Sequence, residues 1–513
     1  MRIKNSVINV IWNCICYFVL MLTSFFLRQA FVRILDLNLV GIDGIFTNII
    51  SILSVVELGL GISISYKIYK PIAQKDWQKV ADILNFIKKI YLVISVLMFF
   101  LGVIISFFVA NVSTINIVFS KIWIIKIFVL YVLDVISSYL FFHRRIMFIS
   151  DQKSYINSIV RSIVLVIFFC FQILNLIYFQ SFKNYLFLKI CARITENLII
   201  YVFFDKYYKN INLKHAMKFS ENEKLEIIND MKAMFFHRIG GACIRQISSL
   251  VVFLLLPLRV NGVYSNYVLI ITALLGISNE FFNGISASFG NLAHTENTKK
   301  IHDNFNILYF INYIVYSLMV TIFFEIVNPF MKIWIAKENV IFSTGTIIII
   351  SIYLYLCGMK QCLDMAKASC GIYVQDRFFP IIETVINFGF SYILTKIYGI
   401  SGVFLGNILS LLLVPFVTQP YFVYKIIFKK KSVDYYKRYI IYIISFISCL
   451  FLSNCIISFL RFSSWMQIFV NILVCLIVNL GVNLILFKKT REFKKIMELV
   501  VILKKACNNN FVW

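Results

Sequence analysis

The stretch from Ala233 to Thr295 indicates the fold class of this chain, and it reads AMFFHRIGGACIRQISSLVVFLLLPLRVNGVYSNYVLIITALLGISNEFFNGISASFGNLAHT. It contains two apolar segments, separated by a predicted short turn over residues 259–263. Each segment has about the 20 residues that a helix needs to cross a bilayer. The first carries basic side chains, and the second carries a row of amides with one carboxylate. Because ionisable groups are costly inside a membrane, this hairpin predicts a polar pocket that faces a cavity.

The composition of the whole chain agrees with a membrane protein. Of its 513 residues 60% are hydrophobic and only 14% are charged, and the mean hydropathy is +0.85. A soluble globular domain has roughly 25% charged residues. Apolar runs of about 20 residues recur throughout, whereas the strands of a membrane barrel are about 10 residues long and alternate. We therefore predict an all-α polytopic membrane protein.

Fourteen transmembrane helices are predicted from the apolar runs, with short loops between them and no soluble catalytic domain. The last two helices lie outside the two halves of six helices each. The predicted spans are Val7–Leu27, Ile42–Tyr66, Tyr91–Val109, Ile122–Phe142, Ile156–Phe179, Tyr185–Phe204, the two segments of the opening hairpin, Phe305–Val327, Ile341–Asp364, Phe379–Ile397, Val403–Ile427, Tyr439–Leu460 and Met466–Phe487.

The formal charge of +26 is distributed unevenly among the loops. Alternate loops hold clusters of Lys and Arg, such as Lys429, Lys430 and Lys431, while the intervening loops have one or two basic residues each. This alternation follows the positive-inside rule and predicts that both termini are cytoplasmic. A nucleic-acid reader keeps its basic face on a soluble fold, so nucleic acid is excluded as a partner.

We predict five regions along the chain. They are an N-terminal six-helix lobe over 1–205, a cytoplasmic linker over 206–232, a C-terminal six-helix lobe over 233–428, two extra transmembrane helices over 429–487 and a basic cytoplasmic tail over 488–513. Ser220 and Glu223 in the linker have the spacing of a capping box, which predicts a short helix there. The tail alternates apolar and basic residues as an amphipathic surface helix does.

An internal repeat relates the two halves. The segment from Gly41 to Ser65 ends in Gly-Ile-Ser-Ile-Ser, and the segment from Gly262 to Ser288 ends in Gly-Ile-Ser-Ala-Ser. Each lies in the second helix of its half. With six helices per half the two copies have the same orientation, which predicts parallel lobes related by a pseudo-twofold axis along the membrane normal. Transporters commonly bind their substrates between such repeats.

Basic side chains in the predicted spans are candidates for binding an anionic substrate. Arg28 and Arg33 end the first helix, and His237, Arg238 and Arg245 lie on the seventh. Arginine forms bidentate hydrogen bonds to phosphate oxygens. The alternative is that these side chains snorkel to the interface or pair with acids. Arg245 lies deeper than Arg238 and is the stronger candidate.

Acidic side chains form the second candidate set. Glu57 and Glu280 occupy similar depths in the repeated helices, where they could exchange a proton or Na⁺, or form a structural interhelical pair. No Walker, H-E-x-x-H or G-x-S-x-G motif is present, and the 12 cysteines include no C-x-x-C pair. We expect no enzyme activity, no metal and no cofactor other than a coupling H⁺ or Na⁺.

Two blocks of the sequence resemble the Wzx-type polysaccharide flippases of the multidrug/oligosaccharidyl-lipid/polysaccharide exporter superfamily. The first block has Phe-Val-Arg33, then Val-Gly-Ile-Asp-Gly-Ile-Phe-Thr-Asn-Ile-Ile-Ser, Glu57-Leu-Gly-Leu-Gly-Ile and Tyr-Lys-Pro-Ile-Ala. The second has His237-Arg-Ile-Gly-Gly, Gly-Val-Tyr-Ser-Asn-Tyr and Ser-Ala-Ser-Phe-Gly-Asn-Leu. The likeness covers most of the first twelve helices. The chain departs from it at Gln246-Ile-Ser-Ser-Leu, where relatives often have an Asn-Asp pair.

The resemblance implies two six-helix lobes around a central cavity. It also implies a flippase that moves undecaprenyl-diphosphate-linked oligosaccharide units across a bacterial plasma (inner) membrane by alternating access, for capsule or O-antigen assembly. Arg28, Arg33 and Arg245 would bind the diphosphate, and Asn266, Asn279 and Asn283 would hydrogen-bond the sugars. The expected partners are this lipid-linked oligosaccharide, membrane lipids and other membrane proteins of polysaccharide assembly.

Two alternatives stay open. A multidrug exporter of the same fold would need an acidic cavity for cationic drugs, whereas the candidate cavity here is mixed to basic. A membrane polysaccharide polymerase typically has a large outward loop, whereas the outer loops here are short.

Overall fold

The structure is a computed structural model that describes residues 2–54, 68, 71–72, 74–151, 153–211, 213, 246–336, 341–372, 375–376, 378–460 and 462–498. In these ranges the regular secondary structure is helical throughout. The helices are α1 (Arg2–Ile34), α2 (Leu37–Leu53), α3 (Trp77–Ala110), α4 (Ser113–Asn116), α5 (Lys121–Tyr139), α6 (Phe142–Ser150), α7 (Ser154–Tyr178), α8 (Phe182–Tyr207), α9 (Gln246–Leu255), α10 (Leu258–Thr295), α11 (Thr298–Ile335), α12 (Thr344–Ser369), α13 (Phe379–Tyr398), α14 (Ile400–Leu413), α15 (Pro415–Phe422), a π-helix (Val423–Phe428), α16 (Val433–Phe459) and α17 (Ser464–Phe487).

Ten of the described helices are long and apolar enough to cross a membrane. Two shorter apolar helices, α2 and α9, accompany them. The prediction of an all-α polytopic membrane protein is therefore confirmed. The physical reason is that a helix satisfies its backbone hydrogen bonds internally, so that a run of apolar side chains can enter lipid without exposing polar backbone groups.

Side-chain caps fix where several helices begin. The side chain of Asp76 accepts a hydrogen bond from the backbone N–H of Lys79, so α3 begins at Trp77, well before the predicted Tyr91. Ser181 starts α8 in the same way, and Asn297 starts α11. Each cap satisfies one of the four backbone donors that the first turn of a helix leaves without partners. Several helices consequently extend into the loops that flank the predicted spans.

The turn predicted over residues 259–263 is wrong. These residues form the first turns of α10, which begins at Leu258, and the chain breaks between α9 and α10 at Leu256 and Pro257. The carbonyl oxygen of Pro257 accepts a hydrogen bond of 2.9 Å from the backbone N–H of Val260. Proline has no N–H to donate and fixes φ near the helical value, so it is suited to the start of α10 and costs a backbone hydrogen bond inside a helix.

The chain forms two compact units, residues 1–266 and 267–513, and the boundary between them falls within α10. In the first unit, α1 packs on α7, α3 on α5, and α8 on both α5 and α7. In the second, α11 lies against α12, α16 and α17.

Hydrogen bonds fasten the last two helices to the rest of the second unit. The hydroxyl of Ser317 on α11 donates to Asn479 on α17 at 2.8 Å, and Tyr313 on α11 donates to Ser445 on α16 at 2.7 Å. The ring of Tyr313 also stacks on that of Tyr442 with centroids 4.4 Å apart. Interhelical hydrogen bonds and close aromatic packing are what hold helices together where lipid removes the hydrophobic driving force.

Candidate functional site

The two glycines that start the repeated segments face each other across a close contact between α2 and α10. A methyl group on Gly41 would lie 2.4 Å from the carbonyl oxygen of Leu258, and one on Gly262 would lie 2.4 Å from that of Leu37. Each glycine thus meets the carbonyl that precedes the other glycine by four residues. This reciprocal contact is what a local twofold relation between two repeat copies produces, and it needs glycine because any side chain would collide with backbone.

Arg28 joins three helices beside this contact. Its Nε donates to Asn266 Oδ1 at 2.8 Å, one terminal nitrogen donates to Asp43 Oδ2 at 3.0 Å, and the other donates to Ser265 Oγ. Arg28 lies on α1, Asp43 on α2, and Ser265 with Asn266 on α10. These contacts use three of the five N–H groups of a guanidinium.

The Arg28–Asp43 ion pair lies inside the ends of both helices and away from the protein surface. Arg28 is 6 residues before the end of α1 at Ile34, and Asp43 is 6 residues after the start of α2 at Leu37. At 1.5 Å per residue both are about 9 Å from the helix ends. The arginine and aspartate side chains are 13% and 19% exposed, so the ion pair is largely withdrawn from the surface of the protein.

A polar path continues from Asp43 into the first unit. Tyr131 on α5 donates its hydroxyl to Asp43 Oδ1 at 2.5 Å, and the ammonium of Lys189 on α8 lies 5.0 Å from the centre of the Tyr131 ring. Lys189 Nζ is also 3.8 Å from Asp134 Oδ2, one turn further along α5. The tyrosine therefore connects the carboxylate of α2 with the charged groups on α5 and α8, by a hydrogen bond on one side and a cation–π contact on the other.

The far end of this path is a buried cluster of ion pairs. Arg193 bridges Asp134 at 3.5 Å and Glu196 at 3.6 Å, and Arg145 on α6 reaches the other oxygen of Glu196 at 2.9 Å. Glu196 is only 1% exposed. The second terminal nitrogen of Arg145 donates to Asn197 at 2.8 Å. A carboxylate at this depth is stable only when it is paired and hydrogen-bonded.

The path as a whole is cationic. We call it the N-terminal polar path. Its members are Arg28, Asp43, Tyr131, Asp134, Arg145, Lys189, Arg193 and Glu196. Four of these side chains are cations and three are carboxylates, a formal net charge of +1. Charges inside transmembrane helices are rare and mark substrate or ion pathways.

The structure brings only part of the predicted site together. Arg28 and Asn266 are in direct contact, and Asn266 is fully buried. Arg33 is exposed in the last turn of α1, and Asn279 is exposed on α10, 13 residues after Asn266. Glu280 and Asn283 lie on α10, but the structure does not describe their side chains. Four further predicted residues and the capping box lie outside the described residues: Glu57, His237, Arg238, Arg245, and Ser220 with Glu223.

The sequence analysis missed Asp43, Tyr131 and Lys189. Asp43 stands within the Gly-Ile-Asp-Gly segment of the first repeat, so an acid inside an apolar run was visible there. Lys189 gave the same signal, because it is a charge within the predicted span Tyr185–Phe204. Tyr131 gave no such signal, because its role depends on which face α5 turns towards α2. Among the described residues, no group of three or more His, Cys, Asp or Glu side chains could hold a metal ion.

Comparison with solved structures gives the fold. An inward closed conformation of the lipid II flippase MurJ superposes with a TM-score of 0.69 at 14% identity, covering 93% of this chain and 99% of that one. An inward-facing multidrug resistance MATE family transporter of the MOP superfamily gives a TM-score of 0.62 at 14% identity, covering 78% of this chain and 94% of that one. The chain has the fold of the MOP transporters.

A third solved structure shares this fold. A MOP superfamily transporter from Pyrococcus furiosus, whose binding pocket is described as having reversed polarity, gives a TM-score of 0.52 at 12% identity and covers 82% of this chain and 96% of that one. No protein-family model and no curated protein matches the sequence. At these identities the likeness concerns the backbone, so the chemistry of this chain has to be argued from its own side chains.

Proposed function

We propose that this protein is a transporter that flips a lipid-linked oligosaccharide, carried on a polyprenyl diphosphate, across a bacterial plasma membrane by alternating access. The observation that carries the proposal is the N-terminal polar path with its net positive charge, headed by Arg28. A diphosphate bears negative charge on several oxygens and matches the fork of an arginine. The full-length likeness to the lipid II flippase MurJ supports a lipid-linked substrate.

Arg28 would bind the diphosphate by exchanging acceptors. Its contacts with Asn266, Asp43 and Ser265 leave two of its five N–H groups for further oxygens. An incoming diphosphate would compete with the Asp43 carboxylate, since both are anions that accept from the same nitrogen. Release of Asp43 would loosen the tie between α1 and α2, and loss of the Ser265 bond would free α10. Binding of the substrate would in this way be coupled to separation of the helices.

The Gly41–Gly262 contact is, in this proposal, part of the gate. Alternating access requires that some helix contact close on one side of the membrane and open during transport. The contact between α2 and α10 is suited to this because glycine surfaces separate without disrupting interdigitated side chains. The same proposal includes the remaining predicted ligands, which are Arg33, Arg238, His237 and Arg245 for the diphosphate and Asn279 and Asn283 for the sugars. It also assigns H⁺ or Na⁺ coupling to Glu57 and Glu280 and places both termini in the cytoplasm.

The proposal is tested with Arg28→Ala in vesicles containing a fluorescent polyprenyl-diphosphate-linked oligosaccharide. Loss of a charge-assisted arginine contact costs about 1.5–3 kcal/mol, so flipping should slow by roughly tenfold to a hundredfold. Arg28→Lys keeps the charge but not the fork and should recover only part of the rate. Arg144→Ala is the matched control, because Arg144 pairs with Asp205 at 2.5 Å outside the polar path. Equal flipping by the Arg28 and Arg144 variants would refute the assignment.

A multidrug exporter is the second candidate, favoured by the MATE likeness and by the carboxylates Asp43, Asp134 and Glu196. Cationic drugs would need those carboxylates unpaired, whereas all three are bound by cations here. Drug-dependent protection of a sensitive host, with no accumulation of lipid-linked oligosaccharide in the deletion strain, would favour the exporter. Oligosaccharide trapped on the inner leaflet of that strain would favour the flippase and count against a polymerase.

A further inference from the structure

A cavity of about 630 Å³ opens at the lysine-rich end of the second unit. It is lined by the first turns of α11 and α16 and by residues 490–495 after α17. We call it the basic-end pocket. Its volume falls within the range of small-ligand sites, about 300–1,000 Å³. None of the residues that line it belongs to the N-terminal polar path.

The floor of the basic-end pocket holds a buried histidine whose protonated nitrogen can be assigned. His302 is 6% exposed, and the ammonium of Lys430 lies 3.2 Å from its Nδ1. An ammonium can only donate, so Nδ1 must accept and the ring hydrogen must be on Nε2. Within the described part of the chain, Nε2 has no hydrogen-bond partner, and neither has Oδ1 of the neighbouring buried Asn306. His302, a lining residue of the pocket, therefore has a buried N–H donor without an acceptor in the described structure.

The backbone next to the pocket positions Lys430 beside Nδ1 of this ring. The π-helix over Val423–Phe428 ends at Lys429, which has a left-handed φ of 53°, and the N–H of Lys430 then bonds to the carbonyl of Tyr424 at 3.0 Å. The His302 ring packs edge-on against Tyr424 and Phe428, with centroids 5.6 and 5.0 Å away. Short π-helices occur often at functional sites.

The rim of the pocket has more cations than it uses for internal pairing. Arg438 binds Glu492 at 2.6 Å, and Arg491 binds Asp303 at 3.1 Å, which pairs two of the three lining carboxylates. The third is Asp434, set against the two lysines of the rim, Lys437 and Lys495. Four cations and three carboxylates give the lining a formal charge of +1, before Lys430 behind the floor is counted.

An N–H donor at the floor, an excess of cations at the rim and a volume of this size together describe a site for a tetrahedral oxyanion. We propose that the basic-end pocket binds a phosphate group, presented either by the headgroup of an anionic phospholipid or by a soluble phosphate ester. Its position at the ends of transmembrane helices puts it at the depth of lipid headgroups, where basic pockets recognise them. This site is separate from that of the transported substrate.

The test measures binding alone and therefore does not depend on the proposed transport activity. The full chain in detergent is titrated with dioleoylphosphatidylglycerol, with dioleoylglycerol as the lipid that lacks the phosphate, and bound lipid is counted by native mass spectrometry. Lys437→Gln/Lys495→Gln removes two rim charges and should weaken phosphatidylglycerol binding by about tenfold. Lys488→Gln/Lys489→Gln removes two nearby exposed lysines outside the lining and should change it less than about twofold.

A second variant tests the floor. His302→Phe keeps the ring that packs on Tyr424 and Phe428 but removes the N–H donor, and it should also weaken binding. If this variant does not fold, the lysine pair decides alone. Displacement of the lipid by glycerol 3-phosphate identifies the phosphate ester itself as sufficient, while binding of phosphatidylglycerol without such displacement identifies the lipid as the source. Equal binding by wild type and the Lys437/Lys495 variant, or equal binding of dioleoylglycerol, overturns the proposal.

Discussion

Replacing Gly262 by alanine should push α2 and α10 apart. The added methyl group would lie 2.4 Å from the carbonyl oxygen of Leu37, whereas real contacts of this kind are rarely shorter than 3.0–3.4 Å. The helices must therefore separate by 3.0 − 2.4 to 3.4 − 2.4, or about 0.6–1.0 Å at this point. Arg28 binds Asp43 on α2 at 3.0 Å and Asn266 on α10 at 2.8 Å, so it could not keep both hydrogen bonds within the usual limit of about 3.2 Å after this separation.

The energetic effect follows from two opposing contributions. Overpacking of this size costs about 1–3 kcal/mol. Alanine in place of glycine inside a helix returns roughly 0.5–1 kcal/mol. The net destabilisation of the α2–α10 contact should be about 0–2.5 kcal/mol. Its central value of about 1.3 kcal/mol is close to a tenfold change in the equilibrium between closed and separated helices. Gly41→Ala should behave alike, and the double variant should be less than additive, because the first methyl group already creates the space for the second.

The assay is the thermal unfolding midpoint of the purified protein, followed by the flipping rate. Gly481→Ala and Gly389→Ala are matched controls, since a methyl group at either helical position would have no neighbour within 4 Å in the described structure. Both controls should be neutral or slightly stabilising. Unfolding midpoints of the Gly262 and Gly41 variants equal to those of the controls would show that the helices do not approach as closely as the structure has them.

Three further predictions concern the gate, the predicted anion ligand and the response to pH. The Cβ positions of the Gly44→Cys/Ser265→Cys pair are 3.1 Å apart, so the pair should form a disulfide after a small separation of the helices and block flipping until it is reduced. Normal flipping by the oxidised pair would contradict the gate. Ser265→Cys alone controls for loss of the hydrogen bond from Arg28 to Ser265. Arg245→Ala should abolish surface polysaccharide at a normal protein level, and unchanged polysaccharide would sink that assignment. Burial lowers the pKa of His143 from 6.5 to about 3. Below pH 6.5 the unfolded chain therefore binds a proton that the folded chain takes up only near pH 3. The free energy of unfolding should fall as the pH drops through this window, by about 2 kcal/mol at pH 5. His143→Leu should flatten the unfolding midpoint between pH 7 and pH 5, and a wild-type midpoint that is already flat would count against the buried neutral ring.

The membrane class and the existence of the helices could be predicted because their causes are local. A run of about 20 apolar residues is costly in water and stable in lipid wherever the rest of the chain lies. The break at Pro257 was equally visible in the sequence, yet the turn was predicted two residues too late because the polar letters Arg259 and Asn261 suggested a loop. Both polar residues lie in the first turns of α10, so polarity near a helix end does not by itself indicate a loop.

The candidate site could be predicted in part. Arg28 and Asn266 were found from their polarity within apolar runs, and the repeat that begins at Gly41 and Gly262 predicted that the two segments belong together. That these glycines touch, and that Arg28 pairs with Asp43, was not visible. A charged residue inside an apolar run can be recognised in the sequence, but the residue that pairs with it and stabilises it there cannot.

The amino-acid sequence is enough to predict a helical membrane protein with basic residues clustered in alternate loops and ionisable groups inside its spans. These properties depend only on the composition of consecutive residues. The tertiary structure alone decided the partners: Arg28 meets Asn266, 238 residues away, and His302 meets Lys430, 128 residues away. Such contacts depend on the rotation of each helix about its axis and on the packing of several helices at once. These are cooperative properties of the whole fold, and neither the polar path nor the basic-end pocket exists in any single segment.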